Sequence, residues 1–164
     1  MTAAGIDKAS LIEEAIRLVE AKLEELRAGY AAARDGSLST PHVMKSKREV
    51  FGQESAYLAN ALSLNIQERE LELRALKALR LPEKPERAAL GCLVGLGTSS
   101  TLEAVYFILP VCGGMEVSGG DAGRPIRVIT PATPVAKALL GKSAGDELVL
   151  PTVPPREAQV QFVI

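Results

Sequence analysis

The chain has 164 residues, with 19 Lys+Arg, 20 Asp+Glu and one His, for a formal net charge of −1. A make-up of 47% hydrophobic and 24% charged residues is that of a folded protein, and near-neutrality excludes whole-molecule attraction to nucleic acid or anionic lipid. Aromatic residues at 4% with no Trp exclude a base-stacking platform, and a single His excludes a His-cluster zinc site.

The longest mostly apolar uncharged run, Ala88 to Leu102, is broken by Gly, Thr and Ser and is too short to cross a bilayer. Asp7, Glu13 and Glu14 follow the N-terminus without a basic-then-apolar leader, so no secretory signal is expected. Cys92 and Cys112 form neither a CxxC pair nor a disulfide framework. Together these predict a cytoplasmic protein with no membrane segment.

Composition changes near residue 81. One proline precedes it and nine follow, with most of the glycines, which predicts a helical half joined to a β-rich half. In the first half, Ile12, Ile16, Val19, Leu23, Leu26, Tyr30 and Ala33 are spaced 4, 3, 4, 3, 4, 3, a heptad seam flanked by charge. Ser10 is the expected N-cap, with Glu13 completing a capping box. A helix from Leu11 to Ala33 would be about 34 Å long. Gly36 and Pro41 are expected to end it, within Arg34-Asp35-Gly36-Ser37-Leu38-Ser39-Thr40-Pro41.

A second helix is predicted from about Val43 to Arg80. Its seam runs Phe51, Ser55, Leu58, Leu62, then slips by one residue to Ile66, Arg69, Leu73 and Leu76. Two heptad runs separated by turn chemistry predict an antiparallel coiled-coil hairpin over residues 1–81, and an intramolecular hairpin predicts a monomer. Residues 82–87, with Pro82 and Pro85, form a linker.

Over 88–164 the sequence predicts a small sheet with one helix. Ala89 to Leu96 and Leu102 to Val111 pair across Gly97-Thr98-Ser99-Ser100, and Pro125 to Thr130 makes a third strand. Thr133 as N-cap and Pro134 at the first position open a helix that Gly141 closes. Glu147 to Leu150 and Ala158 to Ile164 are the last strands. The fold class is α+β.

Several site signals fail on inspection. Gly95-Leu96-Gly97-Thr98-Ser99-Ser100 imitates a dinucleotide fingerprint, but Ser100 replaces the third glycine and a strand follows it. Gly141-Lys142-Ser143 imitates the end of a phosphate loop, yet Gly141 closes a helix instead of opening one. His42 with Ser37, Ser39 and Asp35 makes a nominal triad on one short loop that supplies no packed support. No catalytic residue and no cofactor are expected. The basic stretch His42, Lys45, Lys47, Arg48 is more informative: positive charge at a helix start opposes the macrodipole, which suggests an anionic partner.

The run Thr133-Pro134-Val135-Ala136-Lys137-Ala138-Leu139-Leu140-Gly141-Lys142-Ser143-Ala144-Gly145-Asp146, following a helical hairpin, resembles the C-terminal signature of the GreA/GreB transcription elongation factor family. The resemblance is strong over about 125–164 and architectural elsewhere. It implies an FKBP-like C-terminal domain docking on the rim of the secondary channel of bacterial RNA polymerase core, and a hairpin that enters the channel. Docking falls on Ala132, Thr133, Pro134 and Lys137, and DNA binding is implied with it. In the family, two tip acids help hold a second Mg²⁺ for cleaving backtracked RNA.

The family tip reads Gly-Asp-Leu-x-Glu-Asn, whereas here it is Gly36-Ser37-Leu38-Ser39-Thr40-Pro41. Hydroxyls at Ser37 and Thr40 are poor ligands for Mg²⁺, which leaves Asp35 as a weak metal candidate. The implied protein binds polymerase without stimulating cleavage, and so is not an enzyme. Its tip (Arg34, Asp35, Ser37, Leu38, Thr40, His42, Lys45, Lys47, Arg48) would meet RNA or groups of the active centre. The alternatives are a cleavage-stimulating factor, or a peptide-binding prolyl isomerase for which Tyr106, Phe107 and Phe162 are too few rings.

Overall fold

A computed structural model describes residues 6–38, 45–98, 101–118 and 125–164. Helices α1 (Lys8–Leu38) and α2 (Lys45–Ala78) precede strands β1 (Leu93–Thr98), β2 (Thr101–Ile108), β3 (Glu116–Val117) and β4 (Ile126–Ile129). Helix α3 (Pro134–Leu139), β5 (Glu147–Leu150) and β6 (Arg156–Val163) complete an α+β chain, as expected. The chain forms two compact units, Arg17–Arg74 and a second made of Met1–Ile16 with Ala75–Ile164.

Helix α1 starts at Lys8, three residues before the expected Leu11. Asp7, not Ser10, is the cap: its carboxylate accepts from the Ala9 and Ser10 amides at 3.0 and 3.3 Å. The Ser10 hydroxyl donates to the Asp7 carbonyl at 3.1 Å, so it cannot serve as a cap of its own. Gly36 does not end the helix, which continues to Leu38. The Ala31-Ala32-Ala33 run offsets the roughly 1 kcal/mol that a glycine costs within a helix. Helix α2 ends at Ala78, two residues short of the expected Arg80.

The seams also differ from the apolar pattern. On α1 the fully buried row is Leu11, Ala15, Val19 and Leu23, with Ile12 at its edge and Ile16 only half-buried. On α2 the half-buried row is Gly52, Ser55, Ala59, Leu62, Ile66, Arg69 and Leu73, reaching buried Leu76. Its spacing of 3, 4, 3, 4, 3, 4, 3 has no slip. Leu58, expected in the seam, is 52% exposed and Ala59 takes its place. Phe51 lies outside the residues whose side chains are described.

Within unit Arg17–Arg74 the helices run antiparallel. Arg27 Nη2 lies 3.0 Å from Glu70 Oε1, and a Cβ at Gly29 would sit 3.8 Å from Leu62. As α1 numbers rise, their α2 partners fall. At positions 58 and 59 the smaller Ala59 is half-buried while Leu58 is exposed, so position on the helix, not apolarity, selects the inner residue.

In the other unit, the sheet order is β3-β4-β2-β1-β6-β5. Strands β1 and β2 pair antiparallel from Leu93↔Phe107 to Thr98↔Thr101, the hairpin expected across residues 97–100. Strands β2 and β4 are parallel, and all other pairs are antiparallel. Strand β1 begins at Leu93, not Ala89, because Gly91 turns the chain with φ +81 and the Cys92 amide bonds back to the Ala89 carbonyl at 3.1 Å. The two-residue β3 has too short a pattern to be seen in sequence.

One sheet face places Val94, Leu96, Ile108, Ile129 and Val160 with Ala136 and Leu139 of α3 and Leu148 and Leu150 of β5. The opposite face carries Leu93, Phe107, Ile126 and Val128, all fully buried. Leu11, Ala15 and Leu76 are buried in the same unit, and the Lys8 ammonium donates to the Pro82 carbonyl there.

Candidate functional site: the hairpin end and the α3 face

The tip residues are carried by helix ends. Arg34 and Asp35 are exposed on the last turns of α1, with Ser37 and Leu38 closing it. Lys45, Lys47 and Arg48 fall in the opening turn of α2, which has no acidic residue. Positive charge there opposes the helix dipole, by a few tenths of a kcal/mol per charge. Thr40 and His42 lie outside the described residues. No group of three His, Cys, Asp or Glu side chains poised for a metal occurs among the described residues. Between Arg34 and Arg48 the only acid in the sequence is Asp35. A donor set of one carboxylate and hydroxyls does not fit Mg²⁺, so no step through that ion is derived for the natural chain.

Lower on the hairpin, Arg27 bridges the two helices, meeting Glu24 at 3.2 Å and Glu70 at 3.0 Å. Hydrogen bonds that Arg27 donates to Glu70 first, then to Glu24, raise its pKa and keep the guanidinium charged. Inside the seam, Arg69 pairs with Glu72 at 2.6 Å. The sequence places Arg69 in the seam, but its pairing with Glu72, and that of Arg27 with Glu70, come only from the packed helices.

The second candidate is α3 with its flanking turns. Thr133 has extended backbone (φ −70, ψ 145), and its hydroxyl accepts from the Ala136 amide at 3.3 Å while donating to the Thr130 carbonyl at 2.8 Å. Pro134 occupies the first turn, as expected. Leu140 caps the other end, and Gly141 at φ +80 turns the chain so that its amide reaches the Ala88 carbonyl at 2.8 Å. Asp146 accepts from the Ser143 amide at 2.9 Å, beside Gly145 at φ +93.

The family-like run is therefore largely a set of folding devices. Thr133 is committed to the cap, Ala136 and Leu139 to the core. Ala132, Pro134 and Lys137 remain exposed on one short segment. Of the four expected docking residues, three present side chains to solvent and the fourth holds them in place. Thr133→Ala is expected to lower stability by about 1 kcal/mol, read as a lower denaturant midpoint, with Thr133→Ser restoring most of it. Equal stability of all three proteins would show that the cap is not formed.

Phe107 is fully buried, and Phe162 lies across Gly95, where a Cβ would come within 2.3 Å of its ring. Both are committed to packing. No described helix is long and apolar enough to cross a membrane.

These features define an α+β protein made of a charged helical hairpin and a mixed six-stranded sheet with one capped helix. No protein-family model matches the chain, and no curated protein matches it. Among solved structures it is similar to GreA factor homolog 1 (Gfh1) of Thermus thermophilus, at 24% identity over 91% of this chain and 94% of that one, with a TM-score of 0.36. Thermus aquaticus Gfh1 matches at 26% identity over 90% and 92%, with a TM-score of 0.37. A structure described as the transcription factor Gfh1 matches at 24% identity over 93% and 92%, with a TM-score of 0.38.

Proposed function

We propose that this chain is an RNA polymerase-binding transcription factor of the GreA type, acting in the cytoplasm as a channel-occupying regulator of elongation or initiation. The α3 segment docks it, through Ala132, Pro134 and Lys137, on the rim of the secondary channel. The hairpin enters the channel and brings Arg34, Lys45, Lys47 and Arg48 toward acidic groups or RNA phosphates. Without a pair of tip acids it occupies the channel and does not stimulate cleavage.

The observation that carries this reading is the order of the parts. A helical hairpin is followed by a sheet unit in which Thr133 to Asp146, the family-like run, forms a capped helix and two glycine turns around an exposed Ala132-Pro134-Lys137 face. The test is competition. The chain should bind bacterial core polymerase and displace a cleavage-active factor, and Lys137→Glu should weaken binding by about tenfold through charge reversal at the rim. Absence of binding at concentrations of about 10 µM would sink the proposal, since specific association of this kind reaches that range.

A further inference from the structure

Helix α2 carries a second apolar row that the hairpin does not use. Tyr57, Leu64 and Leu71 are 80%, 60% and 61% exposed. With exposed Ala61 and Glu68 and half-buried Ala75 between and beyond them, the spacing is 4, 3, 4, 3, 4. At about 100° per residue, Tyr57 and Leu71 lie within about 20° of Leu64 on the helix. Ser55 and Leu73 of the inner seam are each nine residues from Leu64, which is half a turn away in angle. The two rows are thus on opposite sides of one helix. By contrast, the exposed residues of α1 include Arg17, Glu20, Lys22, Glu24 and Glu25, and none of its described large apolar side chains is exposed.

We propose that two copies of this chain pair through this outward row of α2, antiparallel, with Leu64 on the two-fold axis. Heptad spacing is the pattern that another helix fits, because it keeps a knob facing the partner at every turn. Tyr57 and Leu71 lie seven residues to either side of Leu64, so a two-fold axis through Leu64 maps these three large side chains onto themselves: Tyr57 packs on Leu71 of the second copy, and Leu64 on Leu64. Charge selects the direction. A parallel pair would set Glu68 on Glu68 and Glu54 on Glu54, whereas the antiparallel pair sets Glu68 opposite the neutral Asn60 of the second copy. Covering the row on both copies removes on the order of 1,000 Å² from water, the lower bound for a specific interface. A weak, concentration-dependent dimer follows, in place of the monomer that a hairpin alone predicts. The pairing stands independently of the polymerase reading.

Sedimentation of the full chain between about 1 µM and 1 mM, the range of a weak dimer, tests it. The natural protein should pass from one chain mass to two. Leu64→Glu, an exposed position, should keep the same far-UV circular dichroism and weaken association at least about tenfold by placing two carboxylates at the axis. With added diamide as oxidant, Leu64→Cys should cross-link readily and Tyr57→Cys poorly, since only residue 64 meets its own copy. One chain mass throughout the range would overturn the proposal. So would a Leu64→Glu protein that associates like the natural one, or Tyr57→Cys cross-linking as readily as Leu64→Cys.

Discussion

If the chain binds polymerase without stimulating cleavage, as proposed, Ser37→Asp combined with Thr40→Glu is expected to give it a transcript-cleavage activity. Backtracked polymerase complexes should shorten their RNA at least about tenfold faster with the double variant than with the natural protein, which corresponds to about 1.4 kcal/mol of barrier. The physical ground is the chemistry of Mg²⁺. It dehydrates reluctantly and prefers carboxylate oxygen, so a pair of carboxylates would be needed to hold it near the reacting phosphate, where it would supply an activated water. The hydroxyls at Ser37 and Thr40 supply neither charge nor strong ligation. Single substitutions should do much less, because one new carboxylate does not make a pair. The measurement is a gel time course of cleavage products with polymerase in excess of RNA. Cleavage by the natural protein at the rate of the double variant would refute the account of its tip. Failure of the double variant while polymerase binding is retained would show that the end of α1 holds residue 37 away from the reacting centre.

Gly97→Ala is expected to be the most damaging single-methyl change in the sheet unit. A Cβ at Gly97 would lie 1.9 Å from the Thr101 carbonyl oxygen, on the strand with which it pairs. The β1–β2 register shifts between Leu96 and Gly97, so the chains approach there more closely than a regular ladder allows. The obstructing atom is backbone, and relief requires separating β1 from β2. A loss of about 3 kcal/mol or more follows. Gly95→Ala should cost less, although its Cβ would fall 2.3 Å from Phe162, because that ring is a side chain able to swing away. Denaturant midpoints rank the two. A Gly97→Ala protein as stable as the natural one would mean that the approach of the strands is not as close as described.

Periodicity and punctuation made the class of fold and most of its elements legible. Proline and glycine fall where helices give way to strands, and Thr133-Pro134 announces α3 because cap chemistry is local. The β1–β2 hairpin and strands β4, β5 and β6 were readable for the same reason, since turn residues and short apolar runs act over a few positions. The candidate sites were legible as residue types only. That Ala132, Pro134 and Lys137 share an exposed segment, while Thr133 is held by the Thr130 carbonyl and the Ala136 amide, depends on how α3 lies against the sheet.

The sequence by itself determined a helical first half, a β-rich second half, a near-neutral total charge and a hairpin end with a single acid between Arg34 and Arg48. Those properties rest on local preference and on counting. Tertiary structure alone decided that Ala59 and not Leu58 lies in the seam, and that β2 and β4 run parallel beside the two-residue β3. In each case local preference left the choice open, and it fell to packing and to the hydrogen bonds left to satisfy. Apolarity said which residues could be buried; only packing said which ones were, and left Tyr57, Leu64 and Leu71 outside.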